Sequence, residues 1–219
     1  LERLTFHAKL GCMRAKSRRV EKLAGRLATS LKLTPEQRKI ALRAARLCKA
    51  DLATRMVIDM TSLQGVMGRE YALASGESAE VAQAIYEHYL PRQAGDAIPE
   101  SRPGLALGLA DRLDTLASLF AVGLQPTGTS DPYGLRRAAL GLLQILIAGD
   151  IPFNLKVAVA KAGELLVPDK RRTAGRGARV SVRSLQKGLA SCYAFLLARE
   201  QNLLLDRGQG AAPEELFFA

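Results

Sequence analysis

Apolar residues recur at threes, fours and a seven near the start of the chain: Leu10, Met13, Val20, Leu23, Leu27 and Leu31, with basic residues between them. That spacing predicts an amphipathic helix, with His7 on the same basic segment. Thr34-Pro35-Glu36-Gln37 reads as a second helix start: Thr34 caps, Pro35 suits the first helical position, and Gln37 completes a capping box. Ile40, Leu42, Ala44, Ala45 and Leu47 carry that helix towards Lys49, and Leu52, Met56, Val57 and Met60 continue an apolar face. Further helices are predicted over 62–74, where Gly65 and Gly68 permit close packing, and over 78–89, where Pro91 is the stop. Helices follow over 104–122, from Asp131-Pro132 to Ala148, over 154–166, and from Ser181 towards Arg207. No segment alternates as a strand does, and no internal repeat is present. The expectation is an all-α protein of about nine helices ending in a long C-terminal one.

The composition fits this picture. Of 219 residues, 48% are hydrophobic and 24% charged, which is globular rather than disordered. No apolar run reaches the about 18 residues of a membrane span. Leu1-Glu2-Arg3 is not a signal peptide, and the missing initiator Met reads as a fragment or processed product. Cys12, Cys48 and Cys192 are an odd, scattered set without a CxxC, which speaks for a reducing compartment and against a thiolate zinc site.

Charge changes the picture more. The net value is +11, but it is unevenly placed. Residues 1–49 hold 14 Lys and Arg against 3 acids, residues 50–150 hold 7 against 12, and residues 151–219 hold 11 against 6. Two basic flanks around an acidic middle point to a localised polyanion footprint. The segment 169–180 contributes Lys170, Arg171, Arg172, Arg176 and Arg179 among small residues, and reads as a flexible basic loop.

Several chemistries lack their residues. There is no GxxxxGK[ST], no GxGxxG after a strand, and no GxSxG. The only histidines are His7 and His88. His88 falls at a helix end, where a contact with the helix dipole is the usual role. Asp111 and Asp114 share a helix face at i, i+3, which suits either a divalent cation or ion pairing within the fold.

Five ordered motifs carry a resemblance: Lys49–Val57 (KADLATRMV), Leu63–Ala72 (LQGVMGREYA), Tyr89–Asp96 (YLPRQAGD), Ala110–Leu116 (ADRLDTL) and Asp131–Gly141 (DPYGLRRAALG). Together they resemble the beta subunit of the bacterial tetrameric glycyl-tRNA synthetases. The resemblance implies that residues 1–166 form that subunit's central helical domain. Residues 167–219 would then be a basic loop and C-terminal helical extension packed on it. The domain is similar to the HD superfamily of metal phosphohydrolases. The His-Asp pair's place falls at Ala50-Asp51, with Ala where the His belongs, and the later aspartate matches Asp111. Other histidine ligands have no counterpart. Asp51 and Asp111 are thus the weak metal candidates, and no catalytic residue is expected in this stretch.

What the resemblance implies about function is a role in positioning tRNA while the holoenzyme activates glycine with ATP and Mg²⁺. The stretch itself needs no cofactor. Its expected partners are tRNA(Gly), the alpha subunit or domain and the rest of the beta subunit, in the cytoplasm and without a membrane. With 5% aromatics and no Trp, a helical stem such as the acceptor arm is the expected contact rather than single-stranded bases. Candidate phosphate contacts are Lys49, Arg55, Arg69, Arg92, Arg136 and Arg137 in or beside the motifs, with Arg171, Arg172, Arg176 and Arg179 in the loop. Two rival readings are an HD-type divalent-metal phosphohydrolase using Asp51 and Asp111, and a structural spacer within a larger subunit.

Overall fold

The computed structural model describes residues 1–93, 95–167 and 181–206. The described residues are all-α apart from one short hairpin, and they include nine α-helices. The chain divides into two compact units, Leu1–Asp111 and Arg112–Ala219.

The first unit opens with strands β1 (Thr5–His7) and β2 (Gly11–Cys12), paired antiparallel. Here the helix expected from Leu10 is corrected, and with it the helical placement of His7. Gly11 takes φ +87°, in the left-handed region, and Leu10 N–H closes a turn on the His7 carbonyl at 2.9 Å. Helix α1 (Met13–Ser30) therefore starts three residues later. It buries Val20, Leu23, Leu27 and also Lys16 on one face. Helix α2 (Pro35–Leu47) has the expected capping box: Thr34 Oγ1 accepts from Gln37 N–H at 3.2 Å, and Gln37 Oε1 accepts from Thr34 N–H at 3.1 Å.

After α2 the chain runs through a 3₁₀ turn (Ala50–Ala53), α3 (Arg55–Asp59), a second 3₁₀ turn (Thr61–Leu63), α4 (Val66–Ala74) and α5 (Ala79–Glu87). The helix expected from Ser62 begins at Val66, because Gly65 at φ +78° separates it from the turn before. Both glycines of the LQGVMG motif serve packing. A Cβ on Gly65 would run into the Tyr89 ring, and one on Gly68 would lie 2.9 Å from Ile85 and 3.1 Å from Asp51 Oδ2.

Helix α6 (Arg102–Ala121) crosses from one unit's residues into the other's. Its Leu105, Leu107, Leu109, Leu113, Leu116 and Leu119 are all buried, and so are its Arg112 and Asp114. In the second unit α7 (Leu135–Ala148) starts after Gly134, three residues beyond the expected Asp-Pro start. Asp131 still caps it, its carboxylate accepting from the Leu135 and Arg136 N–H groups at 2.8 Å each. Helix α8 (Leu155–Glu164) is capped by Asn154, and α9 (Val182–Asp206) is the long C-terminal helix.

At Gly188, α9 meets the end of α6 backbone to backbone. A Cβ there would lie 2.6 Å from Ala121 Cα and 2.7 Å from the Phe120 carbonyl carbon. Backbone cannot swing aside as a side chain can. Gly188→Ala is expected to lower stability by about 1–3 kcal/mol, read as a drop in the urea midpoint with an unchanged slope.

Candidate functional site

The first unit buries a cluster of charge where α1, the end of α2, the end of α5 and α6 meet. Periodicity puts Lys16 on the core face of α1, four residues before Val20. Lys49 follows the last turn of α2, His88 caps the C-terminus of α5, and Asp111 comes from α6. Lys16 is 3% exposed, Lys49 4% and His88 1%.

Asp111 is held from both sides. Its Oδ1 lies 3.0 Å from Lys16 Nζ and its Oδ2 accepts from Lys49 Nζ at 2.9 Å. Lys16 also donates to the Asp111 backbone carbonyl at 3.3 Å. Lys49 Nζ lies 2.8 Å from His88 Nε2 and 4.3 Å from the centre of the Tyr89 ring. Burial alone raises a carboxylic acid's pKa, but Lys16 and Lys49 outweigh it and hold Asp111 well below the carboxylate range. Burial likewise works against the Lys49 ammonium, and Asp111 overcomes it, so its pKa is raised. The Cys48 thiol beside them is pushed up to about 12, chiefly by burial.

Asp51 does a different job. It is 2% exposed, and its Oδ2 accepts from Gly65 N–H at 2.7 Å, tying the 3₁₀ turn to the entry of α4. Its Oδ1 is buried without a hydrogen-bond partner among the described residues. It also borders a pocket of about 180 Å³ with Thr54, Gly68, Tyr71, Glu77 and Ile85. Among the described residues, no three His, Cys, Asp or Glu side chains gather where they could hold a metal ion.

The candidate phosphate contacts are placed very differently from one another. Lys49 is committed to the buried cluster and offers no charge to solvent. Arg55 has a 94% exposed side chain, with Asp59 one turn away at 3.5 Å. Arg69 pairs with Glu70 at 3.0 Å, and Arg92 donates to the backbone carbonyls of Ser62 and Gln64 at 3.3 and 3.0 Å. The structure brings these two together, with guanidinium carbons 5.0 and 5.6 Å from the centre of the Tyr86 ring. Arg136 is half-buried and closes its own loop on the Ser130 and Gly128 carbonyls. Arg137 is exposed, and its side chain makes no hydrogen bond or ion pair with the described residues. Arg171, Arg172, Arg176 and Arg179 lie outside the described residues.

Residue-by-residue reading of the sequence passed over Arg18 and Lys22 on α1 and Arg38 on α2. All three are exposed, and no ion pair or side-chain hydrogen bond engages them among the described residues. The signal was available as the excess of 14 basic residues over 3 acids in 1–49. Much of that excess is engaged internally: Arg43 with Glu77, Arg46 with Glu21, Arg14 with Glu2, and the two lysines with Asp111.

The family model of the glycyl-tRNA synthetase beta subunit matches residues 1–213. The chain belongs to that family. It is 53% identical to the glycine--tRNA ligase beta subunit of Trichodesmium erythraeum over 155 residues, which is 71% of this chain and 22% of the relative. It is 51% identical to that of Synechocystis over the same length and share of each chain. Against the Picosynechococcus subunit it is 43% identical over 209 residues, 94% of this chain and 27% of the relative. The chain thus spans about a quarter of the length of the curated relatives it matches. In this beta-subunit chain the resembling motifs coincide with packing and charge anchors. KADL supplies Lys49 and Asp51, LQGVMG the close approach to Tyr89 and Asp51, and ADRLD the Asp111 that pairs with two lysines. No described helix is long and apolar enough to cross a membrane.

Proposed function

We propose that this chain is an HD-like helical part of a glycyl-tRNA synthetase beta subunit that holds tRNA(Gly) while the holoenzyme glycylates it. ATP and Mg²⁺ serve the holoenzyme, and the alpha subunit and the remaining beta-subunit domains are its neighbours in the cytoplasm. Residues 1–166 would carry the HD-like part and 167–219 its extension. The observation that carries the reading is the sorting of the positive charge. Membership of a tRNA synthetase family supports an RNA partner, and exposed cations without an anionic partner among the described residues support the means: Arg18, Lys22 and Arg38 in the first unit, Arg137 in the second. Arg18 and Lys22 stand one helical turn apart on one face of α1, about 6 Å along the axis, so they can follow successive phosphates of one strand. Recognition of a stem by such groups is through backbone and shape.

The test is binding of tRNA(Gly) to the full-length beta subunit at two salt concentrations. Four phosphate contacts give a log–log slope of about −3.6, hence about 100-fold weaker binding at 200 mM than at 50 mM salt. Arg18→Glu with Lys22→Glu should flatten that slope by about 2. Binding that ignores salt, or a slope unchanged in the double variant, would assign the α1 face to a spacer role instead.

A further inference from the structure

We propose that the Lys49 ammonium is the resident cation of a buried donor site built by Asp111 and His88, standing where those donors would otherwise take a divalent metal ion. His88 Nδ1 lies against the Ile85 carbonyl. A carbonyl only accepts, so Nδ1 carries the hydrogen and Nε2 presents its lone pair. That is the neutral tautomer, held by an outer hydrogen bond, in which histidine binds metals. The Nε2 lone pair and the Asp111 Oδ2 then converge on one atom, Lys49 Nζ, at 2.8 and 2.9 Å. An imidazole nitrogen beside a carboxylate oxygen is ordinary donor chemistry for zinc, cobalt or nickel. The Tyr89 ring face closes a further side of the ammonium at 4.3 Å.

The charge count agrees with the donor count. Lys49 brings one positive charge to Asp111 Oδ2 and Lys16 brings another to Oδ1. Together they deliver to this carboxylate the +2 that a divalent ion would. The two are not chemically equivalent. An ammonium is a hydrogen-bond donor with no open coordination position, so it cannot bind and acidify a water molecule. While Lys49 stands there the residues do not fit a metal ion. Metal-assisted phosphohydrolysis at Asp51 and Asp111 is closed by an occupant as well as by the Ala at position 50. The centre would keep the packing of a cation site with no dependence on metal supply.

The test is a Co²⁺ titration of the full-length chain, followed by the visible absorption of protein-bound cobalt. The wild type should show no band. Lys49→Ala vacates the space in front of Asp111 and His88 and should develop one. Adding His88→Gln to that variant should weaken binding by at least the ~10–100-fold that loss of even an outer-shell partner brings. Asp111→Asn in the same background should do likewise. Refolding Lys49→Ala with and without Co²⁺ covers a variant that cannot fold empty, since recovery only in cobalt is also an expected result. Failure to fold in both conditions overturns the proposal. So does cobalt binding no tighter than that of the wild type, or binding that survives His88→Gln.

Discussion

Asp111→Asn is expected to lower the unfolding free energy by about 3–5 kcal/mol, the usual effect of removing one partner from a buried charge pair. The substitution is nearly isosteric, so little packing changes. What changes is that Lys16 and Lys49, 3% and 4% exposed, lose the carboxylate between them. Urea unfolding followed by circular dichroism measures the loss. Its pH dependence identifies the cause. Asp111 has a folded pKa well below its ordinary 3.8, so its stabilisation is present above that value and fades as pH falls through the depressed one. Lys49 has a raised pKa, so its share is complete below its ordinary 10.5 and fades only as pH rises through the folded value. The difference between wild type and variant should therefore be level from about pH 4 to pH 10 and shrink in acid. A loss below about 1 kcal/mol at pH 7 would mean that the lysines reach water when Asp111 is gone.

Phe120→Ala is expected to cost the second unit about 3–5 kcal/mol, the range for deleting a buried aromatic ring. Phe120 is 1% exposed near the C-terminal end of α6, and its ring lies 5.3 Å from that of Phe195 on α9, tilted by 46°. The same turn of α6 receives the backbone of Gly188. Close contact on that side leaves the site little room to collapse, which favours the upper part of the range. A double-mutant cycle with Phe195→Ala should show a coupling of about 0.5–1.5 kcal/mol between the rings. Phe120→Leu, which refills most of the volume, should recover most of the loss. Equal stability of Phe120→Leu and Phe120→Ala would show that the ring fills no space that matters.

The helices were legible because each carries its own local reasons. Thr34 to Gln37 is a cap that needs nothing from elsewhere, and the closely spaced leucines from Leu105 to Leu119 mark a buried helix. The hairpin at 5–12 was not legible, since two strands of three and two residues have no period to detect and Gly11 alone breaks the helical pattern. The family motifs were also legible, but not the jobs of their residues. Lys49 reads in the sequence as one more basic group for phosphate. In the structure it is 4% exposed and paired with Asp111. Arg69 and Arg92 read as separate contacts and meet over one Tyr86 ring.

By itself, then, the sequence determined the all-α class, the family, the caps and the uneven charge, all of which depend on neighbours within a few residues or on simple counts. Only the tertiary structure decided which charges are available. Burial and pairing are set by what other helices bring to a position, and Lys16, Lys49, His88 and Asp111 are separated by up to 95 residues along the chain. A lysine's sequence neighbours do not say whether a carboxylate will stand opposite it. That opposition turns Lys49 inward, while Arg18 and Lys22 stay exposed.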